Sequence, residues 1–211
     1  MRKWYPAIIL AGAFLFSAIV YARLPAAMIT HWGLYGEPNG YSSRPVGAFV
    51  LPAMGLAIWG LMRGLPLIDP RRANYAKFQG TYDLVINLAV TLLVVVHIAT
   101  LGRALGWPLP DALRTSAAVV GVVTLILGNV LPRARSNWWF GIRTPWTLSS
   151  DTVWTRTQRV GGYLFTAAGL ITLLSALLPP VASFILLIAS VGVASLGSVV
   201  YSYVVWREEQ P

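Results

Sequence analysis

Apolar and polar residues alternate in long blocks along this chain. Six apolar blocks are separated by polar connectors, and each reaches the roughly 17 to 25 residues that a helix needs to cross a bilayer. The blocks cover residues 5–21, 46–62, 82–101, 113–131, 162–178 and 181–206. Because a helix satisfies its own backbone hydrogen bonds inside lipid, the pattern predicts an all-α integral membrane protein with six transmembrane helices.

Composition supports a membrane protein and narrows its chemistry. The chain is 56% hydrophobic and only 11% charged, well below the charged fraction of a soluble domain. There is no cysteine, which excludes disulfides, thiolate metal ligands and cysteine nucleophiles. Two histidines and seven acids leave little material for a metal site. We therefore expect no catalytic residues, no metal and no cofactor.

The basic residues predict the orientation of the helices. The net charge of +9 is carried by sixteen Lys and Arg residues. With the N-terminus inside, only four of them lie outside: Arg23, Arg44, Arg103 and Arg114. Cytoplasmic loops of membrane proteins carry such an excess of Lys and Arg, so we expect cytoplasmic N and C termini. The charge is then a membrane-topology signal, and we expect no direct binding of nucleic acid.

The N-terminal segment combines basic residues with the first apolar block. Met1, Arg2 and Lys3 precede that block in the layout of a signal peptide, but no small-residue cleavage site follows at 21–24. We expect an uncleaved first helix.

The first connector, residues 24–44, is external in this orientation. Apolar residues at helix-like spacing predict that part of it lies along the membrane surface, and residues 37–40 have β-turn chemistry with Pro38 second and Gly40 fourth. Either it merely caps the bundle or it is a docking surface for a molecule arriving from outside. The docking residues would be His31, Trp32, Tyr35, Glu37 and Asn39.

Three polar residues share one face of the third predicted helix: Asp83, Asn87 and His97. Ionisable groups at membrane depth usually face a bundle interior or an aqueous cavity. Asn129, near the cytoplasmic end of the fourth helix, is placed to bond Asp83 or Asn87. The residues either line a proton or substrate path, or serve as interfacial and packed groups that hold the helices together.

The fourth connector has the most unusual composition. Residues 128–162 hold five of the sixteen basic residues and four of the nine tryptophans, but a single acid, Asp151. Aromatic residues argue against disorder, and a long connection without disorder is usually functional. Arg133 and Arg135 are expected beside inner-leaflet phosphates.

The second half of this connector predicts a short interfacial helix. Ser149 or Ser150 would cap it, and Asp151 would lie at its positive N-terminus. Trp154 would face lipid, and the chain would turn into the membrane at residues 161–162. From residues alone, the helix is either a membrane-surface element or a partner-recognition element.

This connector resembles the signature segment of the SdpI family of bacterial membrane immunity proteins. The resemblance rests on the elements GN-x-LP, N-x-x-x-GIRTPWTLSS and VW-x-x-T-x-R-x-GG. The external connector is similar to an N-terminal domain of unknown function found in many members. The signature positions are Asn129, Pro132, Asn137, Gly141, Arg143, Thr144, Pro145, Trp146, Ser149, Trp154 and Arg159.

The resemblance implies a function and a division of the chain. A typical family member protects its producer from a secreted, membrane-active peptide, and one also holds a small transcriptional repressor at the membrane. The external connector would then meet the peptide toxin, the cytoplasmic stretch would hold the repressor, and the bilayer would surround both. The division would be a helix pair over residues 5–62 with its loop 24–44, and a four-helix part over residues 82–206 with its loop 132–161.

Two other functions remain open on the sequence. One is a small transporter or membrane enzyme whose polar cavity is lined by Asp83, Asn87, Asn129 and Arg143. The other is a structural subunit, recognisable by an exposed apolar face on the last helix.

Overall fold

The computed structural model describes residues 4–210, so Arg2 and Lys3 of the charge count lie outside the described residues. Within this range, the chain forms long helices and one β-hairpin. The elements are α1 (Tyr5–Val20), β1 (Ala27–Trp32), β2 (Pro38–Ser43), α2 (Arg44–Ile68), α3 (Tyr75–Ala104), α4 (Ala112–Val130), α5 (Pro145–Ser149), α6 (Asp151–Ser175) and α7 (Pro180–Glu208).

Five of the six long helices are long and apolar enough to cross a membrane. These are α1, α2, α3, α4 and α7, the first, third and fourth with short flanking turns included. The exception is α6, whose first turns carry Arg156 and Arg159. The chain is therefore a multi-pass helical membrane protein. Exposed apolar side chains cover α7, as expected of a helix that faces lipid.

The helices pack in two groups of three. In one, α1, α2 and α3 contact one another below the hairpin; in the other, α6 lies between α4 and α7. Contacts between α3 and α4 are sparse by comparison. The division at residues 5–62 and 82–206 stays a prediction, although α3 packs with the first group.

Glycines bring α4 and α6 into backbone contact. A Cβ added to Gly121 would lie 2.6 Å from the Leu173 nitrogen, and one added to Gly169 would lie 2.7 Å from the Leu125 Cα. Gly128 packs in the same way against Thr166. Small residues at helix interfaces allow this approach in membranes. Since the contacts repeat from Gly121 to Gly128, α6 runs antiparallel along most of α4.

The external connector is a β-hairpin, which corrects the predicted surface helix. Strands β1 and β2 pair antiparallel, with Ala27 opposite Ser43 and an irregular register around His31. The turn is also displaced from residues 37–40: the Gly33 amide donates to the Glu37 carbonyl at 2.7 Å, and Gly36 has a φ of +85°. Glycine reaches that conformation without steric cost. The spacing of four residues between Met28 and Trp32 fits one face of a strand as well as one face of a helix.

Helix α6 corrects the predicted interfacial helix. Ser150 does cap its first turn by accepting from the Val153 amide at 3.3 Å, but the helix continues unbroken through Gly161 and Gly162. These glycines serve close packing, since a Cβ on Gly162 would lie 2.9 Å from the Gly128 carbonyl oxygen. Trp154 does not face lipid: it is 1% exposed and donates through Nε1 to the Ala134 carbonyl at 2.9 Å.

Candidate functional site

The external hairpin is anchored by two buried side chains. Leu24 and Met28 join a cluster with Val20, Ala48 and Leu101, which links the hairpin to α1, α2 and α3. Burying two large apolar side chains in this way contributes on the order of 2 kcal/mol each. The hairpin is thus held as part of the bundle.

The predicted docking residues lie along the outer part of this hairpin. Tyr35 is 80% exposed at the turn, and its backbone amide donates to Glu37 Oε2 at 3.1 Å. His31 Nδ1 and Asn39 Oδ1 form a hydrogen bond across the strands. Tyr41 is also exposed, although the sequence reasoning did not select it.

A cavity of about 380 Å³ lies beneath the hairpin. His31 and Trp32 line it from above, and residues of α2, α3 and α4 form its other walls. The Arg103 guanidinium stacks over the Trp32 ring at 5.6 Å and donates to the Thr115 hydroxyl at 2.7 Å. A cation near an aromatic face is attracted to its quadrupole, so Arg103 fixes Trp32 at the cavity rim.

The cavity continues downward as an apolar crevice between α3 and α4. A smaller cavity of about 120 Å³ shares Trp32 with the one above, and an apolar cavity of about 340 Å³ shares Val95 with the smaller one. The last cavity reaches Ile126. The crevice thus continues as an open groove along α3 and α4, with apolar walls and with Val95 and Val122 exposed in its lower part. An apolar segment would fit in this groove.

The signature loop is organised by a buried carboxylate in the connector between α2 and α3. Asp69 is 3% exposed, and its oxygens accept from the Arg71 amide at 2.7 Å, the Tyr75 hydroxyl at 2.8 Å and the Trp138 amide at 2.9 Å. Buried charges are stable when several donors satisfy them. Asp69 therefore ties the α2–α3 connector to the signature loop.

Asn137 folds the loop around its own side chain. Its Oδ1 accepts from the amides of Trp139 and Phe140 at 2.8 and 2.7 Å. Its Nδ2 donates to the carbonyls of Arg135 and Phe140 at 2.8 and 2.9 Å. The side chain is fully buried. Its hydrogen bonds satisfy backbone amides and carbonyls of the loop that have no partner in a helix or strand.

Gln158 holds the other end of the loop. Its Oε1 accepts from the Ile142 amide and its Nε2 donates to the Ile142 carbonyl, both at 2.9 Å. Gly141 has a φ of +112°, and a Cβ there would meet Gln158 Oε1 at 2.9 Å. Both the backbone conformation and the space require glycine at this signature position.

The short helix α5 is fixed against α7. Thr144 accepts from the Thr147 amide at 3.1 Å, Pro145 occupies the first helical position, and the Thr144 hydroxyl contacts that of Ser202 at 3.1 Å. Trp146 packs edge-on against Tyr203 at 5.1 Å. This capping arrangement explains the T-P-W part of the signature.

The remaining signature residues form the exposed surface of the loop. Arg143 donates to the Trp138 carbonyl, and Trp138 and Trp139 are both partly exposed. Arg159 is exposed on α6, while its neighbour on that face, Arg156, pairs with Glu208 at 3.2 Å. Pro132 and Ser149 are exposed as well.

The intramembrane polar residues do not converge on one cavity. Within residues 4–210, Asp83 pairs with Arg63 at 2.8 Å, and Asn129 accepts from Arg133 at 3.4 Å. His97 is fully buried, and its Nε2 contacts the Ser17 hydroxyl at 2.8 Å.

Arg143 lies in the loop at Trp138, and the Asn87 side-chain oxygen is buried with no hydrogen-bond partner among residues 4–210. The predicted contact of Asn129 with Asp83 or Asn87 is therefore wrong, and the four-residue cavity of the transporter alternative is not formed by these contacts.

Comparison with known proteins agrees with the signature residues. The sequence profile of the SdpI/YfhL protein family matches residues 133–202. A second profile, a domain of unknown function (DUF1648), matches residues 8–56, which include the hairpin.

A curated SdpI relative covers most of the chain. It is the protein named Immunity protein SdpI from Bacillus subtilis (strain 168), which is 28% identical over 164 residues, or 78% of this chain and 76% of that protein. No solved structure matches the chain significantly. With its five apolar helices, the chain itself is a multi-pass protein of the cell membrane.

Three structurally central residues were missed by sequence reasoning. Asp69 and Gln158 organise the signature loop, and Arg63 pairs with Asp83. Asp69 lies in the connector after the second apolar block, and Gln158 lies inside the signature at an unmarked position. The available sequence signal for such residues was a polar side chain close to the end of a predicted membrane span.

Proposed function

We propose that this protein confers immunity against a secreted, membrane-active peptide. The observation that carries the proposal is the similarity of 78% of the chain to a protein named Immunity protein SdpI. The protein would work by binding, without covalent chemistry, and so would not be an enzyme.

The external hairpin and the crevice beneath it are the proposed contact site. A membrane-active peptide must have an apolar face, and the crevice presents apolar walls that begin at Trp32 and continue between α3 and α4. His31, Tyr35, Glu37 and Asn39 lie on the route to it. Capture there would keep the peptide from reaching other membrane sites.

The membrane arrangement is proposed as six crossings with both termini cytoplasmic. Helix α6 is the crossing that adds to the five apolar helices. It runs along α4, with Gly162 beside Gly128 and Leu173 beside Gly121. A helix that follows a membrane-crossing neighbour for that length crosses the same thickness. Its basic first turns then lie on the cytoplasmic side.

A signalling role is proposed for the cytoplasmic face. The exposed side chains of Trp138, Trp139 and Arg143 surround a loop held rigidly by Asn137. A small soluble repressor would dock on this surface when peptide occupies the outside. Arg143→Ala combined with Arg156→Ala should reduce such signalling while membrane abundance stays normal.

Survival of sensitive cells tests the immunity proposal. The full chain is expressed in a toxin-sensitive bacterium, its membrane level is confirmed by immunoblot, and killing is measured against a panel of secreted membrane-active peptides. Protection against at least one peptide is expected. Unchanged killing by every peptide, at confirmed membrane levels, would overturn the proposal.

A further inference from the structure

A separate cavity lies at the cytoplasmic end, on the side opposite the hairpin and its crevice. Its volume is about 310 Å³, and it lies between the start of α3, the signature loop and the first turns of α6. The residues that line it are Asn74, Lys77, Arg135, Ser136, Asp151, Trp154 and Thr155. The proposed immunity function makes no use of it.

The walls of this cavity are held in place by hydrogen bonds. Asn74 donates to the Ser136 carbonyl at 2.8 Å and accepts from Lys77 Nζ at 3.1 Å. The indole of Trp154 is fixed to the Ala134 carbonyl at 2.9 Å. Asn74, Ser136 and Trp154 are therefore positioned groups, and the exposed side chains of Lys77 and Arg135 complete the lining.

The charges around the cavity favour an anion. Lys77 and Arg135 contribute two cations, and the Arg135 guanidinium makes no hydrogen bond to any residue between 4 and 210. The one acid, Asp151, has a largely exposed side chain, and its carboxylate lies 3.8 Å from Arg71. Arg71 offsets that negative charge and leaves the two lining cations unbalanced.

The level of the cavity relative to the lipid headgroups indicates which anion it would bind. Trp138 and Trp139, both partly exposed, lie in the loop that forms one wall, and such tryptophans mark the headgroup level of a membrane. Phosphate is the dominant anion at that level, and Lys and Arg bind it through charge-assisted hydrogen bonds. We propose that this cavity binds a phosphate group, which bridges α3 to the signature loop.

The proposal is independent of the immunity function, and binding measurements test it. Purified full-length protein in zwitterionic detergent is titrated with phosphatidylglycerol, phosphatidylcholine or inorganic phosphate, and binding is followed by native mass spectrometry and thermal unfolding. We expect saturable binding of phosphatidylglycerol, with phosphatidylcholine weaker. Lys77→Gln with Arg135→Gln should weaken binding about tenfold or more.

A matched control separates a site from general attraction. Arg72→Gln with Arg207→Gln removes the same charge from the same end of the protein, but neither residue lines the cavity. This control should bind as the unmodified protein does. Asp151→Asn should strengthen binding, because it removes the one acid from the wall.

The source of the phosphate follows from competition. If inorganic phosphate at millimolar concentration displaces phosphatidylglycerol, the site takes a soluble phosphate; if it does not, the ligand is a lipid headgroup. Equal loss of binding in the two double variants would overturn the proposal, as would a protein that binds neither ligand in preference to phosphatidylcholine.

Discussion

At the scale of single residues, the signature that this chain shares with the SdpI family combines buried polar anchors, such as Asn137 and Thr144, with exposed residues. Asn137, Gly141 and Thr144 each complete hydrogen bonds or a backbone conformation that the loop needs. A motif of this kind predicts that a loop is ordered, but it does not identify the side chains that a partner touches. Those are the exposed residues between the anchors.

Removal of the Asp69 carboxylate should destabilise the protein. Asp69→Ala leaves the Tyr75 hydroxyl and the Trp138 amide without their acceptor in a buried site, which should lower the free energy of unfolding by about 3 kcal/mol. Thermal unfolding in detergent measures the effect. Asp151→Ala, at an exposed acid, is the control and should change stability by less than about 1 kcal/mol. Equal effects would contradict the role given to Asp69.

At the scale of elements, long apolar helices could be predicted from sequence and the polar connectors could not. Residues 24–35 fit a helix-like spacing, but Gly33 and Gly36 close a hairpin there. Residues 149–161 have polar helical character, but they belong to α6 because glycines at 161 and 162 pack rather than turn. Both errors arose where tertiary contacts, not periodicity, decide the local structure.

The interface between α4 and α6 should depend on glycine. Gly169→Leu places a side chain where the Leu125 backbone lies, and such overpacking costs about 3 kcal/mol or more. Gly192→Leu is the matched control, because nothing lies within 4 Å of a Cβ at that position. Thermal unfolding should show a lowered midpoint for the first variant alone. An equal midpoint for both would contradict backbone contact between α4 and α6.

At the scale of the whole molecule, the helices form two groups that meet at both ends. At the end that carries the signature loop, Asp69 joins the α2–α3 connector to that loop; at the hairpin end, Arg103 joins Trp32 to α4 through Thr115. Between these ends lies the crevice of α3 and α4. The sequence predicted the spans and their order, but these joints depend on residues far apart in the chain.

Topology can be measured by cysteine labelling, since the chain has no cysteine of its own. Tyr35→Cys should react with a membrane-impermeant maleimide in intact cells, because Tyr35 is exposed on the hairpin. Glu209→Cys should react only after permeabilisation if α6 and α7 both cross. Labelling of Glu209→Cys in intact cells would instead mean an even number of crossings between the two positions.

The most direct measurement of the account is a killing curve for sensitive cells that express hairpin variants. The unmodified protein should raise the lethal concentration of its peptide by about tenfold. Tyr35→Ala with Tyr41→Ala should lose most of that protection. Each aromatic side chain that becomes buried against the bound peptide contributes on the order of 1 kcal/mol or more to binding. Tyr163→Ala, at an exposed tyrosine on α6, should retain it. An unmodified protein that gives no protection, or hairpin variants that protect fully, would contradict the account.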